Sequence, residues 1–370
     1  MGQQFEFKLA KDLGAASVAG SDALRAQPAY GVYPLPALLE ADSARRDRKA
    51  KRLKAVKAEA ALLPKHATAE DAFRLTVMQC KWHIAANFPA VVQARNPEGL
   101  HQMRIGFRRL RVALTAFGGE FRTPTIETLR LRARQISERL APARDLDVFL
   151  KDLFEPAAKA NGAKEAFAIL RERAKEARRG AWDEAVAQVC APAFSGFVGE
   201  LGEAIDHRVW VESPRGKSHA ARGLIAFEAP AKEIAERMLK YRLAHARKRA
   251  RDLDELGDDE RHSLRIALKK LRYTAEFFAP LYPKKSVKRW LKCLGEMQDI
   301  LGGLNDVATA RETLEKLVAL GDGGPLASKA DLSFAAGIVY GWQLERADRI
   351  WKDAVGCWES FGKSTPFWRH

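Results

Sequence analysis

One motif occurs twice in this sequence, and the repeat limits what the chain can fold into more than any other feature does. The first copy, LHQMRIGFRRLRV, occupies residues 100–112, and the second, RHSLRIALKKLRY, occupies residues 261–273. The copies are identical at five of thirteen positions, where ordinary composition gives about one identity by chance. The same offset places LAPARDLDV (140–148) over LGGLNDVAT (301–309) without a gap. Two separated motifs that share one register indicate a duplicated structural unit.

Helical periodicity dominates the sequence from Thr68 onward, where Ala, Leu, Arg, Lys and Glu are abundant and runs of β-branched residues are scarce. Asp71 follows Thr68 at the spacing of a capping box, which predicts that the first helix begins here and ends near Gln93. The further helices are predicted at 97–117, 123–140, 143–160, 163–190, 193–208, 229–252, 258–279, 284–301, 304–320 and 328–359.

These patterns predict an all-α fold, a duplicated helical bundle. Its predicted parts are an N-terminal extension with a basic linker (1–67), a first bundle (68–208), a loop between the bundles (209–228) and a second bundle with a C-terminal helix (229–370). The spacing of four tryptophans is typical of core or bundle packing: Trp290, Trp342, Trp351 and Trp358.

The charge of the chain favours an anionic partner. There are 63 Lys and Arg residues against 47 Asp and Glu residues, a net charge of +16. Such a surplus attracts nucleic acid, acidic lipid or phosphate polymers, and it does not distinguish among them. The four cysteines form no CxxC pair, which argues against a zinc site or a disulfide framework. The sequence shows neither a signal peptide nor an apolar run of about 18 residues, so we predict a cytoplasmic protein without a membrane span.

A helical wheel separates each repeated motif into a basic stripe and an apolar face. The stripes hold His101, Arg104, Arg108 and Arg111 in the first copy, and His262, Arg265, Lys269 and Arg272 in the second. The opposite faces hold Met103, Phe107, Leu110 and Leu114, and Leu264, Leu268 and Leu271, which are predicted to enter the core. No acidic residue lies within either stripe, so a linear polyanion would neutralise them well. Arg matches phosphate oxygens with a planar fork, Lys adds a point charge, and His binds better when it is protonated.

Other charged residues are less clearly assigned. Arg109 and Lys270 lie beside the stripes, and Lys240, Arg247 and Lys248 are predicted to border the same phosphate-binding surface. The basic run at 44–57 is predicted to be a solvated, partly helical linker, with an extension of the phosphate surface as the alternative. The alternative for the stripes themselves is a solvated helix face, or internal pairing with Asp145 and Asp306. We predict a structural role for these two acids, either as caps near helix starts or as groups that hold stripe arginines.

The motifs resemble those of the CHAD family, the conserved histidine α-helical domain, over residues 68–320 and onward to the C-terminal PFWRH. This resemblance implies two four-helix bundles related by a pseudo-twofold axis, with a basic groove between them that binds inorganic polyphosphate at polyphosphate granules. By match to the family motif, it implies that the eight stripe residues face the ligand, with Arg109 and Lys270 as less secure members.

The N-terminal segment QFEFK (4–8) is similar to the first strand of a CYTH triphosphate-tunnel domain, with Gln4 in place of the first acid. A closed barrel needs about eight strands, which some 40 residues cannot supply. Residues 1–40 are therefore interpreted as a vestige or a tail without triphosphatase activity, and a chance match is the alternative.

The sequence thus predicts a non-catalytic polyphosphate-binding protein without metal or cofactor. It contains no GxxxxGK[ST] loop, GxSxG elbow or Gly-rich dinucleotide turn. Phosphoryl transfer needs carboxylates that hold Mg²⁺, and the acids linked to the motifs, Asp145, Asp147 and Asp306, are not expected to converge. Binding is expected to strengthen below about pH 6.5 if His101 and His262 contribute as cations. The alternatives are a general polyanion or nucleic-acid binder, or an accessory module of a triphosphate- or polyphosphate-processing enzyme.

Overall fold

The structure is a computed structural model that describes residues 53–117, 121–161, 165–211, 227–319 and 329–369, all within one compact unit. As predicted, the fold is all-α, and the described residues contain no strand. The α-helices are α1 (Ala69–Ala86), α2 (Phe88–Val92), α3 (Pro97–Ala116), α4 (Pro124–Arg139), α5 (Ala141–Val148), α6 (Glu155–Ala160), α7 (Glu165–Cys190), α8 (Pro192–Asp206), α9 (Ala231–Arg249), α10 (Asp258–Phe278), α11 (Lys284–Ala319), α12 (Lys329–Lys352) and α13 (Ala354–Lys363), and a π-helix (Phe149–Phe154) joins α5 to α6. None of these described helices is long and apolar enough to cross a bilayer.

The predicted cap of the first helix is confirmed. The Asp71 N–H donates to the Thr68 hydroxyl oxygen at 3.1 Å, and the Thr68 N–H donates to the Asp71 carboxylate at 3.0 Å. The helix ends at Ala86 rather than near Gln93, because Pro89 has no N–H to donate and its ring crowds the preceding turn. Residues 88–92 form the separate helix α2.

The two copies of the motif lie on α3 and α10, and their apolar faces are buried as predicted. The predicted core residues are at most 3% exposed: Met103, Phe107, Leu110 and Leu114 on α3, and Leu264, Leu268 and Leu271 on α10. α3 packs closely on α1 at Gly106, where a Cβ would lie 2.7 Å from Cγ1 of Ile84. The two repeat helices meet near their C-terminal ends, where the rings of Phe117 and Phe278 are 5.5 Å apart.

The second pair of repeated segments differs between the two halves. LAPARDLDV follows a break at Leu140 and forms α5, whereas LGGLNDVAT lies inside the uninterrupted helix α11. The predicted separation into helices 284–301 and 304–320 is therefore wrong. Gly302 and Gly303 weaken a helix, but their backbone N–H groups can still donate the helical hydrogen bonds of α11. Pro142 has no backbone N–H to donate, so α4 cannot continue through it. The C-terminal helix predicted at 328–359 is likewise two helices, α12 and α13.

One apolar cluster joins helices from both halves of the sequence. Phe149, Phe154 and Phe167 of the first half pack with Leu314 and Val339 of the second, and all five side chains are nearly inaccessible to water. Each such side chain stabilises the fold by about 1.5–3 kcal/mol when it is removed from water. This shared core fixes α11 and α12 against the π-helix and α7, and it thereby fixes the walls of the cavity described below.

Several predictions concern residues outside the described part of the chain. These are the CYTH-like segment 1–40, most of the basic run, and residues 212–226 of the predicted inter-bundle loop. The described residues 53–63 are not helical, and the partly helical prediction for the basic run at 44–57 otherwise falls on residues outside the described ranges. The segments that precede α1 and α9 are joined by two backbone hydrogen bonds: the Ala69 N–H donates to the Ala229 carbonyl and the Ala231 N–H to the Ala67 carbonyl, both at 2.8 Å.

Candidate anion-binding site

A cavity of about 1300 Å³ lies between the two repeat helices and their neighbours. Its walls come from α3, α10, α11, α12, the π-helix and the non-helical segment 53–67, which we call the N-terminal segment. The cavity is lined by six of the residues predicted from the sequence to bind phosphate: His101, Arg108, Arg109, Arg265, Lys269 and Arg272. Both copies of the motif therefore contribute cations to one concave surface.

Three of these cations are close enough to perturb one another. Burial and, to a smaller extent, the positive charges of Arg108 and Arg265 together lower the pKa of Lys269 to about 7, against the opposing effect of Asp306. Burial also lowers the pKa of Arg265. No described carboxylate lies within 4 Å of Arg108, Arg265 or Lys269, and the Nε of Arg265 is buried without a hydrogen-bond partner. These three cations of the cavity wall thus form no tight ion pair with a described carboxylate.

The two histidines of the stripes lie in different environments. His101 lines the cavity, and burial together with the charge of Arg144 lowers its pKa to about 4. The expectation that His101 becomes a cation just below pH 6.5 is therefore wrong for the free protein. His262 is exposed and does not line the cavity, and its Nδ1 lies 3.0 Å from the side-chain oxygen of Asn305, which also accepts from Arg265 at 3.0 Å.

The remaining predicted arginines are engaged within the protein to different degrees. Arg104 is half-buried beside the cavity and donates to the Ser137 carbonyl at 2.6 Å. Burial lowers its pKa to about 10, which the charge of Asp145 partly opposes. Arg272 donates to Glu276 at 2.9 Å and to Gln298 at 3.1 Å.

Arg109 connects the two repeat helices. Its side chain is 8% exposed and forms an ion pair with Glu276 of α10. Its guanidinium also lies over the ring of Phe277, 5.3 Å from the centroid, and 5.9 Å from that of Tyr273. Arg109 touches the cavity wall, but its charge is already neutralised, so its main role in the geometry is to hold α3 on α10.

Besides Arg104 and His262, five further residues predicted to bind phosphate do not line this cavity. Arg111 and Lys270 face α4 and α9 instead, as the charges that act on them show. The side chain of Lys240 lies 3.8 Å from Glu236, and Arg247 and Lys248 are exposed in the last turn of α9. The structure therefore does not bring Lys240, Arg247 or Lys248 to the border of the cavity.

The motif-linked acids provide counter-charges around the cavity. Asp306 lies in the middle of α11, so the cap predicted for it near a helix start is wrong. Burial raises the pKa of Asp145, and the charge of Arg104 opposes this increase. Burial likewise raises the pKa of Asp306, where the charge of Arg265 opposes the increase. The charge of Asp145 also contributes to the raised pKa of Asp306, and the expectation that Asp145, Asp147 and Asp306 do not converge stays a prediction. In the described ranges no three His, Cys, Asp or Glu side chains are grouped as metal ligands would be.

Asp147 has a different role from its neighbour Asp145. Its buried carboxylate accepts from Arg178 at 2.6 Å and from the indole N–H of Trp182 at 3.2 Å. These contacts attach α5 to α7 and keep Asp147 away from the cavity.

The cavity is also lined by residues outside the predicted set of phosphate-binding residues. Three cations join the lining, namely Lys57, Lys151 and Arg346, together with the acids Asp152 and Asp299. Trp342, predicted to be a core residue, is 40% exposed and lines the cavity. Lys57 was signalled by its place in the basic run, whereas tertiary packing alone brings Lys151, Arg346 and Trp342 here.

The N-terminal segment that carries Lys57 is held by a buried asparagine. The side chain of Asn87 accepts from the Val56 N–H at 3.0 Å and donates to the Val56 carbonyl at 2.9 Å. Asn87 is completely inaccessible to water. This pair of hydrogen bonds fixes the backbone next to Lys57 and so defines one rim of the cavity.

Known proteins share both the sequence pattern and the fold. The family model of the CHAD domain matches residues 77–315, a span that contains both copies of the motif. The crystal structure of the CHAD domain from the plant Ricinus communis is similar with a TM-score of 0.67 and 27% identity, covering 80% of this chain and 95% of that one. PptA from Streptomyces chartreusis has a TM-score of 0.59 at 13% identity, covering 79% and 100%, which is a likeness of fold alone. No curated protein matches the chain. With two repeated motifs inside a matched span of more than half its length, the chain belongs to the CHAD domain family.

Proposed function

We propose that this protein binds inorganic polyphosphate in the cavity and does not catalyse its conversion. The observation that carries the proposal is the meeting of Arg108, Arg265 and Lys269, from both copies of the motif, in one concave surface. None of the three has a described carboxylate within 4 Å. The CHAD family is commonly linked to polyphosphate binding, which agrees with this chemistry.

The size and charge of the cavity suit an extended anion. Its volume of about 1300 Å³ exceeds the roughly 300–1000 Å³ of ordinary small-molecule pockets. The guanidinium groups of Arg108 and Arg265 can each donate two parallel hydrogen bonds to phosphate oxygens, and the ammonium group of Lys269 adds a point charge. A chain of phosphates would neutralise several of these cations at once, which a single small anion cannot do.

The free protein holds these cations at an energetic cost. Burial and mutual repulsion lower the pKa of Lys269, so its charged form is disfavoured until an anion arrives. Because a bound polyanion removes the repulsion, part of the binding energy comes from relief of an unfavourable arrangement already present in the free cavity.

Binding of long-chain polyphosphate tests the proposal directly. We would compare the wild type with the variant Arg108→Gln, Arg265→Gln, Lys269→Gln, and with a control that removes the same charge from exposed lysines of α11, Lys284→Gln, Lys285→Gln, Lys288→Gln. Loss of three phosphate contacts should reduce the slope of the logarithm of the binding constant against the logarithm of salt concentration by about 2. This change corresponds to about 100-fold weaker binding in 0.1 M salt. The control should bind like the wild type, since none of its three lysines lines the cavity.

Competition and turnover assays address the two alternative functions. Heparin or single-stranded RNA that competes as well as polyphosphate at equal charge would indicate a general polyanion binder. Release of orthophosphate from polyphosphate in the presence of Mg²⁺, lost in Asp145→Asn or Asp306→Asn, would contradict the non-catalytic proposal. These acids are chosen because the charge of Asp145 contributes to the raised pKa of Asp306 beside the cations.

The proposed location is the cytoplasm, at polyphosphate granules. A fluorescent fusion of the wild type should coincide with granules, whereas the cavity variant should be diffuse and the α11 control should remain at the granules. A cavity variant that still collects at granules would show that another feature of the chain determines the location.

A further inference from the structure

Two of the four cysteines belong to helices that pack on each other near the C-terminus. Cys293 is on α11 and Cys357 is on α13, and α13 packs along α11. Both are free thiols with partly exposed side chains. The other two differ in environment, since Cys80 is buried in α1 and Cys190 is exposed at the end of α7. The pair on α11 and α13 is therefore accessible to small oxidants.

Two contacts fix the direction of α13 relative to α11. The rings of Trp290 on α11 and Phe361 on α13 have their centroids 5.4 Å apart. Further along α11, a Cβ on Gly303 would lie 3.4 Å from Cδ1 of Ile350, near the end of the preceding helix α12. Residue numbers rise on one side of the interface as they fall on the other. The helix α13 therefore runs antiparallel to α11.

Cys293 and Cys357 lie at nearly the same height along this antiparallel pair. Cys293 follows Trp290 by three residues, which is about 4.5 Å along α11. Cys357 precedes Phe361 by four residues, which is about 6 Å along α13 in the same direction. The two cysteines thus differ in height by about 1.5 Å. A disulfide joins residues whose Cα atoms are about 4.4–6.8 Å apart, so this offset is within its reach.

The side of α11 that carries Cys293 faces away from α10. The Gln298 side chain donates to a backbone carbonyl of α10 at 2.7 Å, and a Cβ on Gly295 would lie 3.9 Å from a guanidinium nitrogen of the same helix. Cys293 is about 200° from Gly295 around α11, hence on the opposite side. It is only about 60° from Trp290, which contacts α13. Cys293 therefore lies at the edge of the interface between α11 and α13.

Cys357 lies at the same edge of this interface. Cys293 follows the buried Trp290 by three residues, and Cys357 follows the buried Ala354 by three residues. Both are thus rotated from the interface by about 60° in the same sense, and equal rotations meet at one edge of an antiparallel pair. Burial raises the pKa of Cys357, and the charges of Glu296 and Cys293 raise it as well, in agreement with two neighbouring thiols.

We infer that Cys293 and Cys357 are a redox-sensitive pair, which forms a reversible disulfide between α11 and α13 when the protein meets hydrogen peroxide. One thiol attacks a peroxide oxygen, which breaks the O–O bond, yields a sulfenic acid and releases one water. The second thiol attacks the sulfenic sulfur, closes the S–S bond and releases a second water. The two thiols together lose two electrons to one peroxide. A small thiol in excess reverses the reaction by exchange.

The bond ties the C-terminal helix α13 to a helix that forms one wall of the cavity. The cavity residues Gln298, Gly302 and Asp306 lie on other sides of α11 than Cys293, so the sulfur chemistry does not need the anion site. Closure of a loop over residues 293–357 restricts the unfolded chain and therefore stabilises the folded one. In the reducing compartment proposed for this protein, the bond forms only while oxidant is present.

The test is peroxide oxidation of the full chain, followed by a count of free thiols in the denatured protein. The count should fall from four to two without covalent dimers, and dithiothreitol should restore all four. Tryptic digestion without reductant should yield one new species, in which the peptides 293–311 and 353–363 are joined. The Tm of the oxidised chain should rise by about 5 °C.

Two variants provide the matched controls. Cys293→Ser should yield neither the joined peptides nor the rise in Tm. Cys190→Ser removes an exposed thiol outside the pair and should still yield both. Diamide, a second thiol oxidant, makes the result independent of the rate at which peroxide reacts.

Three outcomes would overturn the inference. Four free thiols after treatment with both oxidants would mean that the two sulfur atoms do not meet. Covalent dimers that vanish in Cys190→Ser, with Cys293 and Cys357 still reduced, would assign the oxidation to a bond between molecules. Joined peptides in a chain whose Tm has fallen would mean that α11 and α13 must move apart before the bond forms. None of these readouts involves polyphosphate, so each of them leaves the proposed function in place.

Discussion

Lys269 should make polyphosphate binding depend on pH in a range where the ligand itself changes little. Its pKa in the free protein is about 7 because of burial and the charges of Arg108 and Arg265. Below this pKa the amine is charged and can bind phosphate without taking up a proton, and above it the amine is neutral. A bound polyanion favours the charged form and raises the pKa, so binding above pH 7 must take up a proton.

The size of the effect follows from this pKa. Between pH 6 and pH 8 the protonated fraction of a group with a pKa of about 7 falls by about tenfold, so the affinity should fall by about tenfold, or about 1.4 kcal/mol. His101 is neutral across this range in the free protein, since its pKa is about 4. The affinity should be nearly constant below pH 6 and should decline above pH 7.

Titration calorimetry of long-chain polyphosphate measures both the affinity and the proton uptake. Long chains are needed because their few terminal groups titrate near pH 6, whereas the internal phosphates remain ionised. At pH 8 the wild type should take up close to one proton, seen as a dependence of the heat on the ionisation enthalpy of the buffer. The variant Lys269→Arg is the matched control, because its guanidinium stays charged throughout.

Two results would refute this reasoning. Equal affinities of the wild type at pH 6 and pH 8 would mean that Lys269 is already an ordinary charged lysine or does not touch the ligand. A decline of the same size in Lys269→Arg would assign the pH dependence to another group.

Three further predictions concern the fold that holds the cavity. Gly106→Ala should lower the free energy of unfolding by about 1–3 kcal/mol, because the new Cβ lies 2.7 Å from a side-chain carbon of α1. Gly180→Ala, in an open position of α7, should raise it by about 0.5–1 kcal/mol, and urea denaturation of both variants measures the contrast. Glu276→Gln leaves Arg109 buried without its counter-charge and should cost about 2–3 kcal/mol in the same assay; a loss below about 0.5 kcal/mol would contradict a structural role for the pair. Asn87→Ala removes both hydrogen bonds to Val56, so trypsin should cleave near Lys57 faster than in the wild type, and unchanged cleavage would show that the segment is held by other contacts.

Local periodicity predicted the helix faces well, because burial of an apolar stripe follows from residue spacing alone. Phe107 and Leu268 are buried as the wheel placed them, and Arg108 and Lys269 lie on the cavity side of the same helices. The duplicated register also identified the two helices whose cations meet, although the pseudo-twofold relation between the bundles stays a prediction.

Features that depend on tertiary contacts were beyond the sequence. Arg109 is one position from a stripe residue, and only the packing of α3 on α10 shows that Glu276 neutralises it. The Gly302–Gly303 pair was interpreted as a helix break, yet packing on α12 keeps α11 continuous, with Gly303 close to Ile350. Lys151 belongs to no basic motif and reaches the cavity because the π-helix is placed there by the shared core.

The position of the ligand tests the central proposal most directly. A crystal structure of the protein with polyphosphate would show phosphorus atoms as strong density, and the proposal predicts them in the cavity, hydrogen-bonded to Arg108, Arg265 and Lys269. Phosphates bound elsewhere on the surface, with the three cations of the cavity in contact only with water, would contradict it.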